Sequence, residues 1–169
     1  MLIVFSGLPG TGKTTIARRL ASRLEAIYLR VDAIEQAIRD AGVLAHDVGR
    51  SGYRVAMALA QSNLGLGRLV VVDCVNPVTE SREAWRDMAV SAGVPLLDIE
   101  VVSSDLRVHR FRVETRTVDV PGLKPPTWQS VLQHDYEAWG DGPLRLDSAV
   151  ISADQAVEVI IEHMSRTSF

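Results

Sequence analysis

The chain is poor in lysine. Only Lys13 and Lys124 occur, against sixteen arginines, so a lysine at any motif position stands out. Cysteine is scarcer still. The single Cys74 excludes an internal disulfide and offers nothing toward a zinc site. No apolar run approaches the ~20 residues of a membrane span. There is no internal repeat, linker or low-complexity tract, and 169 residues fit one domain with a sizeable core. A net charge of −3 argues against the whole surface acting as a trap for nucleic acid, although local arginine clusters remain. Met1–Phe5 lacks a basic leader and a cleavage site. It reads as a strand and not as a signal peptide, which makes the cytoplasm the expected location.

What is present begins at residue 7. Gly7-Leu8-Pro9-Gly10-Thr11-Gly12-Lys13-Thr14 spells G-x-x-x-x-G-K-[ST], followed by Thr15. By average residue usage, about one chain in two hundred of this length matches by accident. The context lowers that figure: Met1–Ser6 is an apolar strand, and Ile16, Leu20 and Leu24 recur at helical spacing behind the motif. The chemistry requires these residue types. Glycines let successive backbone N–H groups curl around phosphate oxygens, and the helix N-terminus adds the positive end of its dipole. Lys13 brings a mobile charge to the β- and γ-phosphates, and the Thr14 hydroxyl is placed to ligate Mg²⁺. The nucleotide set is therefore Gly7, Pro9, Gly10, Thr11, Gly12, Lys13, Thr14 and Thr15, and ATP with Mg²⁺ is the expected cofactor pair.

Further along, strands and helices alternate. Ala26–Val31 reads as a second strand ending at Asp32, and a helix follows from Ile34 to Ala41 with Gly42 as its stop. After a loop over Val43–Gly49, Ser51 is set to cap a helix from about Gly52 to Leu66. Leu69–Asp73 is the most strand-like run, and a helix over Glu80–Ala92 follows. A fourth strand spans Leu96–Val102, and Ser103 or Ser104 is expected to cap an arginine-rich helix, Asp105–Thr115. Residues 117–126, punctuated by Pro121, Gly122, Pro125 and Pro126, are expected to be irregular. Thr127 caps a helix carrying Trp128, Val131, Leu132, Tyr136 and Trp139, broken by Gly140-Asp141-Gly142-Pro143. Leu144–Asp147 is a short fifth strand. In the last helix Ala156, Val157, Ile160, Ile161 and Met164 form the apolar face. Such alternation implies an α/β fold with a parallel sheet covered on both faces and ligands bound at the strands' carboxyl ends.

These residues carry a resemblance. G-L-P-G-T-G-K-T, the V-V-V-D of 70–73, V-D-C-V-N-P (72–77), R-V-E-T-R-T-V-D-V-P-G (112–122) and Y-E-A-W (136–139) resemble the small P-loop kinases. The closer likeness is to the "AAA family ATPase / predicted kinase" group related to polynucleotide kinase and chloramphenicol phosphotransferase. The resemblance implies a three-layer, nucleoside-monophosphate-kinase-like fold over residues 1–169, with a five-stranded sheet in order 2-3-1-4-5. It also implies a mobile lid, placed at about 112–126, and phosphoryl transfer to a hydroxyl with Asp32 as general base. One departure is recorded: Glu35 stands where polynucleotide kinase has an arginine.

Each site residue has a plainer reading beside the functional one. Asp32 with Glu35 could be a capping box, but at a strand end beside the phosphate site it is the candidate base. Asp73 is either a magnesium carboxylate or a turn residue beside Asn76-Pro77. Among the arginines, Arg116 is the first choice for the γ-phosphate, followed by Arg112 and Arg110, although Arg110–Glu114 also fits a surface ion pair. The four histidines and the Trp128, Tyr136, Trp139 set read as core or surface, and Cys74 as a small packing residue. Tyr53, Arg54, Asn76 and Arg82 are candidate acceptor contacts. The leading function is an ATP-dependent kinase of a small hydroxyl-bearing molecule. The alternatives are a polynucleotide 5′-hydroxyl kinase and a nucleotide-dependent regulatory ATPase or switch. No N-K-x-D supports a guanine switch.

Overall fold

The computed structural model describes residues 1–42, 46–140 and 142–167. The loop expected over Val43–Gly49 and the break at Asp141 fall partly or wholly outside the described residues. Five strands, β1 (Leu2–Ser6), β2 (Ile27–Arg30), β3 (Val70–Asp73), β4 (Leu96–Val102) and β5 (Leu144–Asp147), form one parallel sheet. Their order is β2-β3-β1-β4-β5. β1 is central because it is apolar on both faces: Leu2, Ile3, Val4 and Phe5 are each 0% exposed. Burying such side chains stabilises the sheet by about 1.5–3 kcal/mol each.

The helices are α1 (Lys13–Arg23), α2 (Val31–Asp40), α3 (Ser51–Gly65), α4 (Thr79–Ser91), α5 (Leu106–Thr115), α6 (Trp128–Leu132) and α7 (Ala153–Arg166). Strand alternation divides the core in two. Ile3, Phe5, Val71, Ile99 and Leu146 pack with Ile16 and Leu20 of α1 and Ala156 and Ile160 of α7. Leu2, Val4, Val70 and Val72 pack with Ala56 and Ala60 of α3 and Trp85 and Ala89 of α4. Cys74 belongs to this second core, and burial with the nearby Asp73 charge raises its thiol pKa.

Local chemistry moves three expected boundaries. β2 stops at Arg30, and Val31 already opens α2, so Asp32 lies in the helix's first turn and no side chain caps it. α5 is capped not by Ser103 or Ser104 but by Asp105, whose carboxylate accepts from the Arg107 and Val108 N–H groups. α6 keeps its Thr127 cap but ends at Leu132. Tyr136 and Trp139 lie beyond it because they are drawn to Arg82, whose guanidinium carbon is 5.2 Å and 4.2 Å from their ring centroids. That guanidinium is buried without a hydrogen-bonded carboxylate among the described residues. It donates instead to the carbonyls of Asn76, Pro77, Glu137 and Ala138.

Candidate active site

β1 delivers the chain into a tight turn and then α1. Gly7 takes φ +140°, and a Cβ there would meet the Val101 carbonyl oxygen at 2.3 Å. Gly10 takes φ +83°, and its Cβ would fall 2.4 Å from Val113 of α5. Only glycine fits either place. The Thr11 hydroxyl donates to the Leu8 carbonyl at 2.9 Å, and Lys13 Nζ reaches the same oxygen at 3.5 Å. Gly12 is the N-cap of α1, so the helix's first N–H groups open onto the turn.

A cleft of about 1060 Å³ opens above this turn. Pro9, Gly10, Gly12, Lys13, Thr14, Thr15 and Asp32 line it, together with Arg112, Arg116 and residues 148–153. Gly7 and Thr11 are buried beneath as supports. The lining carries seven cations (Lys13, Arg18, Arg19, Arg30, Arg112, Arg116, Lys124) and two carboxylates (Asp32, Asp119). In a chain of net charge −3 this is a concentrated positive field, suited to a polyanion.

The three expected arginines separate. Arg112 is held across the mouth by Ser148, with Nη1 2.7 Å from its hydroxyl and Nη2 3.0 Å from its carbonyl. Arg116 lines the cleft and has no ion-pair partner among the described residues. Arg110 does not join them. It points to solvent, with Nε 2.8 Å from Glu114, and is not in the cleft wall, so the pairing at i, i+4 has taken it. Asp73 also lies outside the lining. It is 2% exposed, accepts the Tyr28 hydroxyl's hydrogen bond at 2.8 Å and sits 3.8 Å from Arg30 Nε. Burial and the Asp73 charge together raise the Tyr28 pKa, so the phenol stays a donor.

Asp32 makes no capping bond. Its Oδ2 lies 3.5 Å from Arg30 Nη2, and the side chain is 39% exposed toward the cleft. Of the candidate acceptor contacts, Asn76 and Arg82 are buried and serve the turn after β3. The Asn76 N–H donates to the Tyr53 hydroxyl at 2.9 Å, and its Nδ2 donates to Ser6 at 3.0 Å. Arg54 is exposed.

Sequence reasoning missed His109, Arg30 and Asp119. His109 is 5% exposed, bonded through Nε2 to the Pro9 carbonyl and set edge-on to Trp128 at 5.2 Å. A histidine one hundred residues from the loop it supports carries no local signal. Arg30 and Asp119 lie 89 residues apart in sequence, and they meet at 2.8 Å.

For magnesium, the cleft offers the Thr14 hydroxyl beside Lys13, while Asp73 already accepts a hydrogen bond outside the lining. No group of three or more His, Cys, Asp or Glu among the described residues could hold a metal. One hydroxyl ligand fits a Mg²⁺ that arrives on triphosphate and keeps its waters. No helix among the described residues is long and apolar enough to cross a membrane.

Known proteins bear on this geometry. The chain is 31% identical over 110 residues, 62% of its length, to a probable adenylyl-sulfate kinase of Aeropyrum pernix. The match spans 60% of that relative's own length. A candidate kinase of Chloroflexus aurantiacus has the same fold at TM-score 0.76 and 23% identity, over 99% of this chain and 97% of that one. The Mycobacterium tuberculosis APS kinase in complex with AMPPNP and APS superposes at TM-score 0.73 and 19% identity, over 97% and 96%. The AAA domain family matches residues 2–124, and with the P-loop and the sheet order in place the chain belongs to that family as a small P-loop kinase-like protein.

Proposed function

We propose that this protein is one P-loop kinase domain that transfers the γ-phosphoryl group of ATP to a hydroxyl of a small molecule, acting in the cytoplasm. The observation that carries this reading is the makeup of the cleft: the phosphate-binding turn with Lys13 and the Asp32 carboxylate line one cleft at the carboxyl edge of the sheet. At about 1060 Å³ it has room for a nucleotide and a small acceptor together. The backbone N–H groups of the turn and Lys13 hold the β- and γ-phosphates. Arg112 and Arg116 line the same cleft and offset the charge that gathers on the transferring group. Asp32 orients the acceptor hydroxyl and accepts its proton as the new O–P bond forms, while the bond to the β-phosphate oxygen breaks and ADP leaves. The Thr14 hydroxyl is the group that would hold a magnesium ion, which when bound would neutralise part of the triphosphate charge. Because residues 112–115 belong to α5, the lid expected over 112–126 narrows to 116–126, the segment that closes over bound nucleotide.

One relative is named a probable adenylyl-sulfate kinase, and one structural neighbour is an APS kinase in complex with AMPPNP and APS. This supports a small-molecule acceptor without fixing which one. The test is a screen of hydroxyl compounds for acceptor-dependent ADP release, with Asp32→Asn run in parallel. A compound that stimulates the wild type and not the variant supports transfer. Hydrolysis indifferent to every compound, with a stable protein partner, would instead favour a regulatory ATPase.

A further inference from the structure

Within the same cleft, Arg30, Arg18 and Asp119 form a charge cluster to which the proposed transfer assigns no step. Arg30 closes β2 and is 7% exposed. Both of its hydrogen bonds go to one carboxylate, that of Asp119, with Nη1 2.8 Å from Oδ1 and 2.9 Å from Oδ2. Arg18 of α1 grips Asp119 Oδ2 from the other side at 3.0 Å. Two further carboxylates stand near the same guanidinium at longer range: Asp32 at 3.5 Å from Nη2 and Asp73 at 3.8 Å from Nε. Arg30 Nε has no hydrogen-bond partner among the described residues.

Asp119 belongs to the segment between Arg116 and Pro126, and that segment rests on α2. Gly122 lies against Gln36, whose Nε2 would be 2.8 Å from a Cβ placed there. Val120 shares a groove with Ile34 and Ala37. The helix under the segment is therefore the helix whose first turn carries Asp32.

A buried guanidinium needs close acceptors; Arg82 finds them in four carbonyls, whereas the hydrogen-bond acceptors of Arg30 are the two oxygens of Asp119. While Asp119 is seated, Arg30 has them, and Asp32 stays at ion-pair distance without a hydrogen bond. If the segment lifts, Arg30 keeps only contacts at 3.5 Å and 3.8 Å, longer than a well-formed charge-assisted bond. Asp73 is tied to Tyr28, so the carboxylate free to move is Asp32. Arg30 would then draw it away from the acceptor side.

We propose that Arg30 is a positioning residue that couples the 116–126 segment to Asp32: docking through Asp119 leaves the Asp32 carboxylate available, and undocking sequesters it on Arg30. The inference rests on Asp32 as the base, and it makes base readiness conditional on closure.

The test uses the full chain without nucleotide, labelled at the aspartate ¹³Cγ. The Asp32 resonance is assigned by its loss in Asp32→Asn. In Asp119→Asn the Asp32 resonance is expected to move, and the Leu123 amide, which donates to the Val120 carbonyl, to exchange at least ~10-fold faster as local opening becomes easier. Asp119→Glu, which keeps the charge, should restore both toward wild type. Arg86→Gln, whose partner Asp98 is elsewhere, should change neither. Faster exchange with an unmoved Asp32 resonance would make Asp119 a latch without coupling and overturn the proposal. Unchanged exchange would overturn it too. Neither readout requires turnover, so a failure of the base reading, seen as near wild-type transfer by Asp32→Asn, is distinguishable from a failure of the coupling.

Discussion

His109 Nε2 lies 2.8 Å from the carbonyl oxygen of Pro9, and since that oxygen can only accept, the imidazole donates. The bond ties α5, which carries Arg112, to the turn that cradles phosphate. His109→Phe keeps a ring against Trp128 and removes the donor. A net hydrogen bond is worth about 0.5–1.5 kcal/mol. Nucleotide affinity should therefore weaken by roughly 3- to 10-fold, measured by calorimetry, with the melting temperature little changed. Unaltered affinity would show that the turn holds its shape without His109.

Lys13→Ala should abolish most of the melting-temperature gain produced by Mg-ATP. Lys13 is 7% exposed, but among the described residues its one hydrogen bond is the long 3.5 Å contact to Leu8, so the fold does not depend on it. Ligand stabilisation scales with affinity, so a thermal shift reads the loss directly. A variant that gains as much from ATP as wild type would remove Lys13 from the phosphate site.

The P-loop, the strands and the apolar helix faces were legible because each is local: a motif, a run or a period read within a dozen residues. The sheet order came through the resemblance. What escaped is made by contacts across the chain. Tyr136 and Trp139 follow α6 at helical spacing, yet the buried Arg82 guanidinium takes both rings and the helix ends at Leu132. Arg110 and Arg112 differ in sequence by two positions, and α-helical geometry sends one to Glu114 and the other to Ser148. The Arg30–Asp119 pair had no signal at all, since neither residue sits in a motif that names the other.

Acid should release the segment that Asp119 holds. The hydrogen bond from Arg30, followed by the nearby charges of Arg30 and Arg18, keeps the Asp119 carboxyl below its usual range. Facing this pair, Asp32 and Asp73 help hold the Arg30 guanidinium charged against the burial that would lower its pKa. A lowered folded-state pKa stabilises above the unfolded value of about 3.9 and loses that contribution as pH falls through the folded value. The stability difference between wild type and Asp119→Asn should accordingly be present at pH 5–7 and shrink below about pH 4. Denaturation at several pH values measures it, and a difference independent of pH would rule out an ionic latch.

The last prediction separates a kinase from a switch. Asp32 lines the cleft, caps nothing, and is predicted to take the acceptor's proton without any necessary contact with ATP. Asp32→Asn preserves its shape and removes the charge. Arg30 stays hydrogen-bonded to Asp119, so the buried cation keeps its nearest partner. A carboxylate in the first turn of α2 also interacts with the helix dipole, a contribution of about 0.3–1 kcal/mol. The stability loss should therefore stay near 1 kcal/mol, and ATP affinity should hold. General-base help is worth ~10²–10⁴ in rate. Acceptor-dependent ADP release should fall by that order while calorimetry reports the same nucleotide binding. Transfer near the wild-type rate would leave the phosphate-binding turn and the arginines at the cleft to account for catalysis without a base.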